Sequence, residues 1–168
     1  MKKVSFVTAS LMLSFVIGCA SAPEPQPVKK DTAAPKVADI SSQNQQLSGQ
    51  YIGGFAYKSA KLDTAAFDRW AVKAAPIVKD IIAKLPDGYV LQITGHTDAS
   101  GPEQPEGDKP GNIKISTDRA KAVYDALKRA GIDSPKITYA GIGSQELYKA
   151  FSPRDPIQRR VTFKIVQE

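Results

Sequence analysis

The sequence predicts an α+β domain, a two-layer sandwich in which helices cover one face of a mixed four-stranded sheet. Three observations predict it. The stretch 47–168 of the 168-residue chain has the length of one domain with one core. Within it, runs that alternate apolar and polar residues are separated by runs with apolar residues at three- and four-residue spacing. The order strand, helix, strand, helix, strand, strand supplies too few crossovers for a doubly wound parallel fold, which leaves helices packed against a mixed sheet.

Each element follows from local pattern. Residues Tyr51 to Tyr57 (YIGGFAY) are apolar and aromatic enough for a first strand, weakened by Gly53 and Gly54. Asp63 offers a cap to a helix whose stripe runs Phe67, Trp70, Ala71, Ala74, Ile77, Val78, Ile81, Ile82, Leu85; the Phe and Trp on it read as core. Pro76 removes a backbone donor inside that pattern and predicts a kink or break between Lys73 and Pro76. Tyr89 to Thr94 alternates into a strand with Tyr89, Leu91 and Ile93 on one face. Ser116, Ala120, Val123, Leu127 and Ala130 mark a second helix that Gly131 stops. Lys136 to Ala140 and Arg160 to Val166 are the last two strands, with a turn at Gly141 to Gly143.

Ahead of this domain lie two segments of different character. Residues 1–18 place Lys2 and Lys3 before the uncharged apolar run Val4 to Gly18, the pattern of a secretory signal peptide, too short for the roughly 20 residues that span a bilayer. Val16-Ile17-Gly18-Cys19 resembles the bacterial lipobox. The resemblance implies that Cys19, the only cysteine, becomes the first mature residue and carries lipid, palmitate among its acyl chains. Several acyl chains anchor stably where one binds reversibly. Ala20 after the cysteine is similar to the sorting signal for the outer membrane. Residues 19–46 then form the lipidated start and a Pro-rich tether expected to be disordered.

Without Lys2 and Lys3, 21 basic residues face 17 acidic ones, a formal balance of +4. Both signs are interspersed, as in TDRAKAVYDALKRAG, which suits a solvated surface near anionic polymers. Export makes nucleic acid an unsuitable partner.

The chemistry concentrates in TGHTDASGPEQPEGDKPGNIKISTDRA, Thr94 to Ala120. Asp98 follows the end of a strand and Arg119 lies early in the next helix, so the connecting loop returns both to one edge of the sheet. A guanidinium fork matches a carboxylate and an Asp accepts from an ammonium. Together they suit a zwitterion such as a free amino acid centre. The same spacing also fits a plain salt bridge that pins the loop, and spacing does not choose between the two. The helix N-terminus nearby offers unsatisfied N–H groups for an anion, with Asn112 and Ser116 as N-cap candidates.

Gly95-His96-Thr97-Asp98, the run Asn112 to Ala120 and Gln158-Arg159-Arg160-Val161 resemble, in order, the motifs G-H-T-D, N-x-x-L-S-x-x-R-A and N-R-R-V of the OmpA C-terminal family, the peptidoglycan-associated domain. The match covers nearly all of residues 51 to 168. The loop around GPEQPEGDKPGN is most similar to OmpA-like surface lipoproteins of spirochaetes such as leptospires. The resemblance implies non-covalent binding of peptidoglycan at the diaminopimelate of its stem peptide. Asp98 takes the ammonium, Arg119 the carboxylate, and Thr97, Asn112 and Arg159 are further contacts or loop supports. Asp98→Ala or Arg119→Ala is then expected to abolish wall binding with little change in melting temperature. A surface-exposed adhesin for host matrix, a role in virulence, is the alternative expectation.

The chain departs from the family pattern in four places. The loop between Asp98 and Asn112 is about six residues longer than usual, Phe55-Ala56-Tyr57 stand where an acidic residue is common, Gln158 replaces Asn, and an arginine common upstream of it is shifted to Arg154 or lost. No cofactor or metal is expected: His96 is the only histidine, with no second ligand beside it, and is read as a packed, hydrogen-bonded ring. Gly141-Ile142-Gly143 lacks the glycine and lysine of phosphate loops. Asp63, Asp68 and Glu103 form no recognisable acid pair for glycan hydrolysis, so the chain is not expected to be an enzyme.

Overall fold

The computed structural model describes residues 37–168; the expected signal peptide, the Cys19 anchor and the tether up to residue 36 lie outside the described residues. The described chain runs α1 (Val37–Ser48), α2 (Thr64–Lys84), β1 (Tyr89–Gly95), α3 (Asn112–Arg129), β2 (Ile137–Gly141), a short 3-10 turn (Pro156–Gln158) and β3 (Val161–Gln167). The sheet order is β2-β1-β3. β1 pairs parallel to β2 from Leu91↔Ile137 to Gly95↔Gly141, and antiparallel to β3 from Tyr89↔Gln167 to Gly95↔Val161. The α+β class stands, but the sheet has three strands and not four.

The missing strand is Tyr51 to Tyr57. It pairs with β3 only through an isolated bridge, Ile52↔Val161, with Ile52 N–H to Val161 O at 2.9 Å and Val161 N–H to Ile52 O at 2.8 Å. Beyond the bridge Gly54 turns to a φ of +83°. The carbonyls that would continue a ladder accept from arginines instead: Phe55 O from Arg159 and Ala56 O from Arg119.

A second difference lies just upstream. Residues 37–46, expected to belong to the tether, form most of α1. The helix is held by packing: Leu47 is buried, and Asn44 bonds both ends of one peptide position of β3, its Nδ2 to Ile165 O at 3.1 Å and its Oδ1 accepting from Ile165 N–H at 2.7 Å. β3 is an edge strand, so Ile52 and Asn44 together satisfy outward-facing backbone groups that an open edge exposes.

α2 is capped by Asp63, whose side chain accepts from Ala66 N–H. It is an unbroken helix through Pro76, so the expected break does not occur. Its buried residues Phe67, Ala74, Val78 and Ile81 lie on both sides of the proline, and tertiary packing of that face outweighs the local penalty. Trp70 stacks on Phe163 of β3 with centroids 5.2 Å apart. α3 ends in a Schellman motif: Gly131 N–H bonds Lys128 O, Ile132 N–H bonds Leu127 O, and Gly131 has a φ of +75°. One core joins these elements, with Leu91, Ile93, Val123, Leu127, Phe163 and Ile165 at its centre.

Candidate functional site

The site forms where α3 crosses the end of β1. Gly95 and Gly141 let the helix approach the sheet: a Cβ on Gly95 runs into the Ser116 carbonyl, and one on Gly141 into the Thr117 backbone nitrogen. This close approach sets Arg119 against the segments that follow β1 and precede α2.

Arg119 is almost fully buried, with 1 % of its surface exposed. Its Nε donates to Ser59 O at 2.8 Å, Nη1 to His96 O at 2.8 Å and Nη2 to Ala56 O at 3.1 Å, and the guanidinium lies 5.3 Å from the Phe55 ring centroid. Burial and the neighbouring Arg159 lower its pKa to about 10 against the opposing pull of Asp98, so it is charged at neutral pH. Of the five N–H donors of a guanidinium, three go to these carbonyls and two remain. Arg119→Ala therefore takes a donor from the Ser59, His96 and Ala56 carbonyls, of which only Ala56 O keeps another, Ser59 N–H, which argues for a lowered melting temperature in place of an unchanged one.

Asp98 is equally deep, and its ion-pair partner is Arg159. Arg159 Nη1 meets Asp98 Oδ2 at 2.7 Å, Arg159 Nε donates to Phe55 O at 2.8 Å, and Asp98 Oδ1 accepts from Ser100 N–H at 3.0 Å. A carboxylate has about four lone-pair positions, so Asp98 retains acceptor capacity. The Asp98–Arg119 salt bridge left open by the spacing is not what pins the loop; each residue bonds elsewhere. Thr97 is fixed by its backbone, N–H to Gly143 O at 2.8 Å, while its buried hydroxyl has no partner.

Neither proposed residue caps α3. The N-cap is Gly111 at a φ of +78°, with no side-chain cap bond, and a Cβ there meets Glu103 and Gln104 backbone within 3 Å. The loop's own carbonyls satisfy the first turn: Asn112 N–H bonds Pro102 O and Ile113 N–H bonds Glu103 O. The helix N-terminus is thus largely closed to an external anion. Asn112 ties the loop inward, its Nδ2 donating to Gly101 O at 3.1 Å and Glu103 Oε1 at 3.2 Å. Ser116 accepts from Gly143 N–H at 2.9 Å. Glu103, weighed from sequence only as a hydrolytic acid, anchors the loop by accepting from the Ser144 hydroxyl and backbone N–H. Tyr57 Oη donates to Ser100 O at 2.8 Å from the opposite side.

Two supports lie behind the site. His96 is buried with Nε2 2.8 Å from Thr162 Oγ1. Burial, reinforced by Arg160, lowers its pKa to about 3, so it is neutral at physiological pH. It is the packed ring expected. Gln158 is fully buried, bonding Tyr148 N–H and O and Ser152 O, which fixes the backbone leading to Arg159. Arg160 covers the Tyr148 ring at 3.7 Å. No group of three His, Cys, Asp or Glu suited to a metal occurs among the described residues, and no described helix is long and apolar enough to cross a membrane.

All five residues predicted for ligand contact, Thr97, Asp98, Asn112, Arg119 and Arg159, line one cavity of about 100 Å³. Such a space admits several water-sized polar groups. Tyr57, Lys58 and Lys109 also line it, and the sequence reading missed them because they come from the irregular segments whose course periodicity does not fix. A carboxylate with spare lone pairs, a guanidinium with two unused donors and an unpartnered hydroxyl thus belong to residues that line the same space.

The OmpA family matches residues 55–160, and the chain belongs to that family. Among solved structures it is similar to the OmpA-like domain of FopA1 from Francisella tularensis, at 25% identity over 70% of this chain and 72% of that one, TM-score 0.46. It is similar to the C-terminal domain of Helicobacter pylori MotB, at 15% identity over 70% of this chain and 84% of that one, TM-score 0.51. It is also similar to the peptidoglycan-associated lipoprotein from Burkholderia pseudomallei, at 17% identity over 69% of this chain and 89% of that one, TM-score 0.50. The last two likenesses establish the fold. No curated protein sequence matches the chain.

Proposed function

We propose that this chain is an outer-membrane lipoprotein, acylated at Cys19, that binds peptidoglycan non-covalently through the diaminopimelate of the stem peptide and so holds the membrane to the cell wall. The observation that carries the reading is the shared cavity. Asp98 and Arg119 line it together, each held by other partners, with the Thr97 hydroxyl buried and unpartnered beside them. Opposite charges fixed across one small space suit the ammonium and carboxylate on the single carbon of an amino acid centre. The name of the Burkholderia neighbour joins the same fold to peptidoglycan association and a lipid anchor. The anchor, the outer-membrane placement and kinship with spirochaete lipoproteins rest on residues 16–20 and on the long loop. The chain acts as a binding protein and not as an enzyme in this reading: His96 directs Nε2 to Thr162 and is not among the cavity-lining residues.

Charge-assisted hydrogen bonds of about 1.5–3 kcal/mol, less ordering costs, give affinities from micromolar to millimolar per site, and the repeating polymer adds avidity. Co-sedimentation with purified sacculi tests the proposal. Thr97→Val keeps the side-chain volume and removes a hydroxyl that bonds nothing, so it is expected to melt within a few degrees of wild type, whereas Asp98→Asn keeps the shape but takes the charge from the Arg159 pair and is expected to melt lower while still folded at the assay temperature. Each is expected to bind about 10-fold or more weakly. Both variants sedimenting as wild type does would overturn the reading.

A further inference from the structure

The cavity has four cationic side chains on its lining, Lys58, Lys109, Arg119 and Arg159, against the single carboxylate of Asp98. Arg159 and Asp98 offset each other at 2.7 Å. Arg119 donates to three neutral carbonyls and has no carboxylate bonded to it. Lys58 has a ring for company, its Nζ 5.3 Å from the Tyr57 centroid. Lys109 meets Glu106 at 3.8 Å with both side chains more than half exposed, a pairing that contributes less than about 1 kcal/mol. An amino acid zwitterion brings no net charge. It leaves the positive surplus in place.

Both lysines stand on backbone that is held. Lys58 has a φ of +55°, the one positive value at a non-glycine position among the described residues, next to the Tyr57 hydroxyl that bonds the loop at Ser100 O. Lys109 sits in a closed turn, with Glu106 N–H to Lys109 O and Lys109 N–H to Glu106 O both at 3.0 Å. Gly111 and the bonds from Asn112 then fix the loop's return. The two lysines thus come from separate segments and line one space, with side chains long and solvated enough to turn toward a ligand held there.

We propose that Lys58 and Lys109 form a second carboxylate subsite, which makes this cavity selective for peptides carrying a free carboxylate beyond those of the diamino acid, and against their amidated forms. The inference rests on the function proposed above and names the ligand class more closely. An acidic peptide supplies the negative charge that the surplus calls for, whereas amidation removes it and leaves the lysines without a counter-charge. Because the lysines are partly solvated, the attraction weakens as salt rises.

Calorimetric titration of the full chain with two probes tests it. One is a diaminopimelate-containing tripeptide with every carboxylate free; the other is the same tripeptide with the carboxylates outside diaminopimelate amidated. Wild type is expected to bind the amidated form about 5- to 10-fold more weakly, two partly exposed charge pairs being lost. The double variant Lys58→Asn, Lys109→Gln keeps a residue that tolerates positive φ at 58 and is expected to bind both forms alike, as weakly as wild type binds the amide. Equal affinity of wild type for the two peptides, or discrimination that survives in the double variant, overturns this inference while leaving wall binding intact. Absence of binding to either peptide overturns it together with the reading beneath it.

Discussion

The floor and the roof of the cavity are built by different means. The floor consists of Arg119 and the segment that follows β1, with His96 packed behind it; Arg119 and His96 are each about 1 % exposed, and three charge-assisted bonds run from the guanidinium to backbone carbonyls. The roof is the loop 99–111. Its bonds pass through Asn112, Glu103 and Tyr57, and its one lysine, Lys109, is more than half exposed. The difference separates stability from selectivity: burial makes each floor residue costly to lose, whereas the roof can change its charges without disturbing the core.

The largest effect to test this division is Arg119→Ala. Removing a buried guanidinium from three carbonyls is expected to cost about 3–5 kcal/mol of unfolding free energy, read as a lowered denaturation midpoint. A variant as stable as wild type breaks the distinction. Next is the hinge between the two regions, Gly111→Ala. The added Cβ meets the backbone of Glu103 and Gln104, and φ is +78°, so about 1–3 kcal/mol is expected to be lost, together with the loop's closure over the cavity. Denaturation measures the first, and affinity for the tripeptide the second.

A smaller effect sharpens the account of the floor through pH. His96 is the only histidine, and its folded pKa of about 3 lies below the ordinary 6.5. The unfolded chain therefore binds the proton first as pH falls, so the stability present above 6.5 is lost on acidification toward the folded value. Between pH 6.5 and 5 wild type is expected to lose on the order of 1–2 kcal/mol. His96→Gln is expected to remove that slope whatever its absolute stability. Melting curves at the two pH values decide it.

Much of this was legible in the sequence where period and cap residues carry the signal. The α2 and α3 stripes, β1, β3, the Asp63 cap and the Gly131 stop all depend on nearest neighbours along the chain. All five predicted contacts reach the cavity because the three short motifs sit at element ends. What escaped depends on partners far away in sequence. Tyr51 to Tyr57 has strand composition, yet its carbonyls are taken by Arg119 and Arg159. The polar stretch of α1 is helical because Asn44 and Leu47 find β3 and the core. The cap of α3 is made by the Pro102 and Glu103 carbonyls, which any residue supplies equally. Asp98's choice of Arg159 over Arg119 turns on which guanidinium the carbonyls leave free, and no spacing rule encodes that.

The central claim is that one cavity reads the ammonium and carboxylate of a single amino acid centre. Titrating the purified chain with the diaminopimelate tripeptide and with an analogue carrying ornithine in its place tests it most directly, since ornithine lacks the distal carboxylate and so presents no zwitterion at that end. Saturable binding of the first, about 10-fold or more weakened for the second, is the predicted result. Equal binding of both peptides, or of neither, contradicts it.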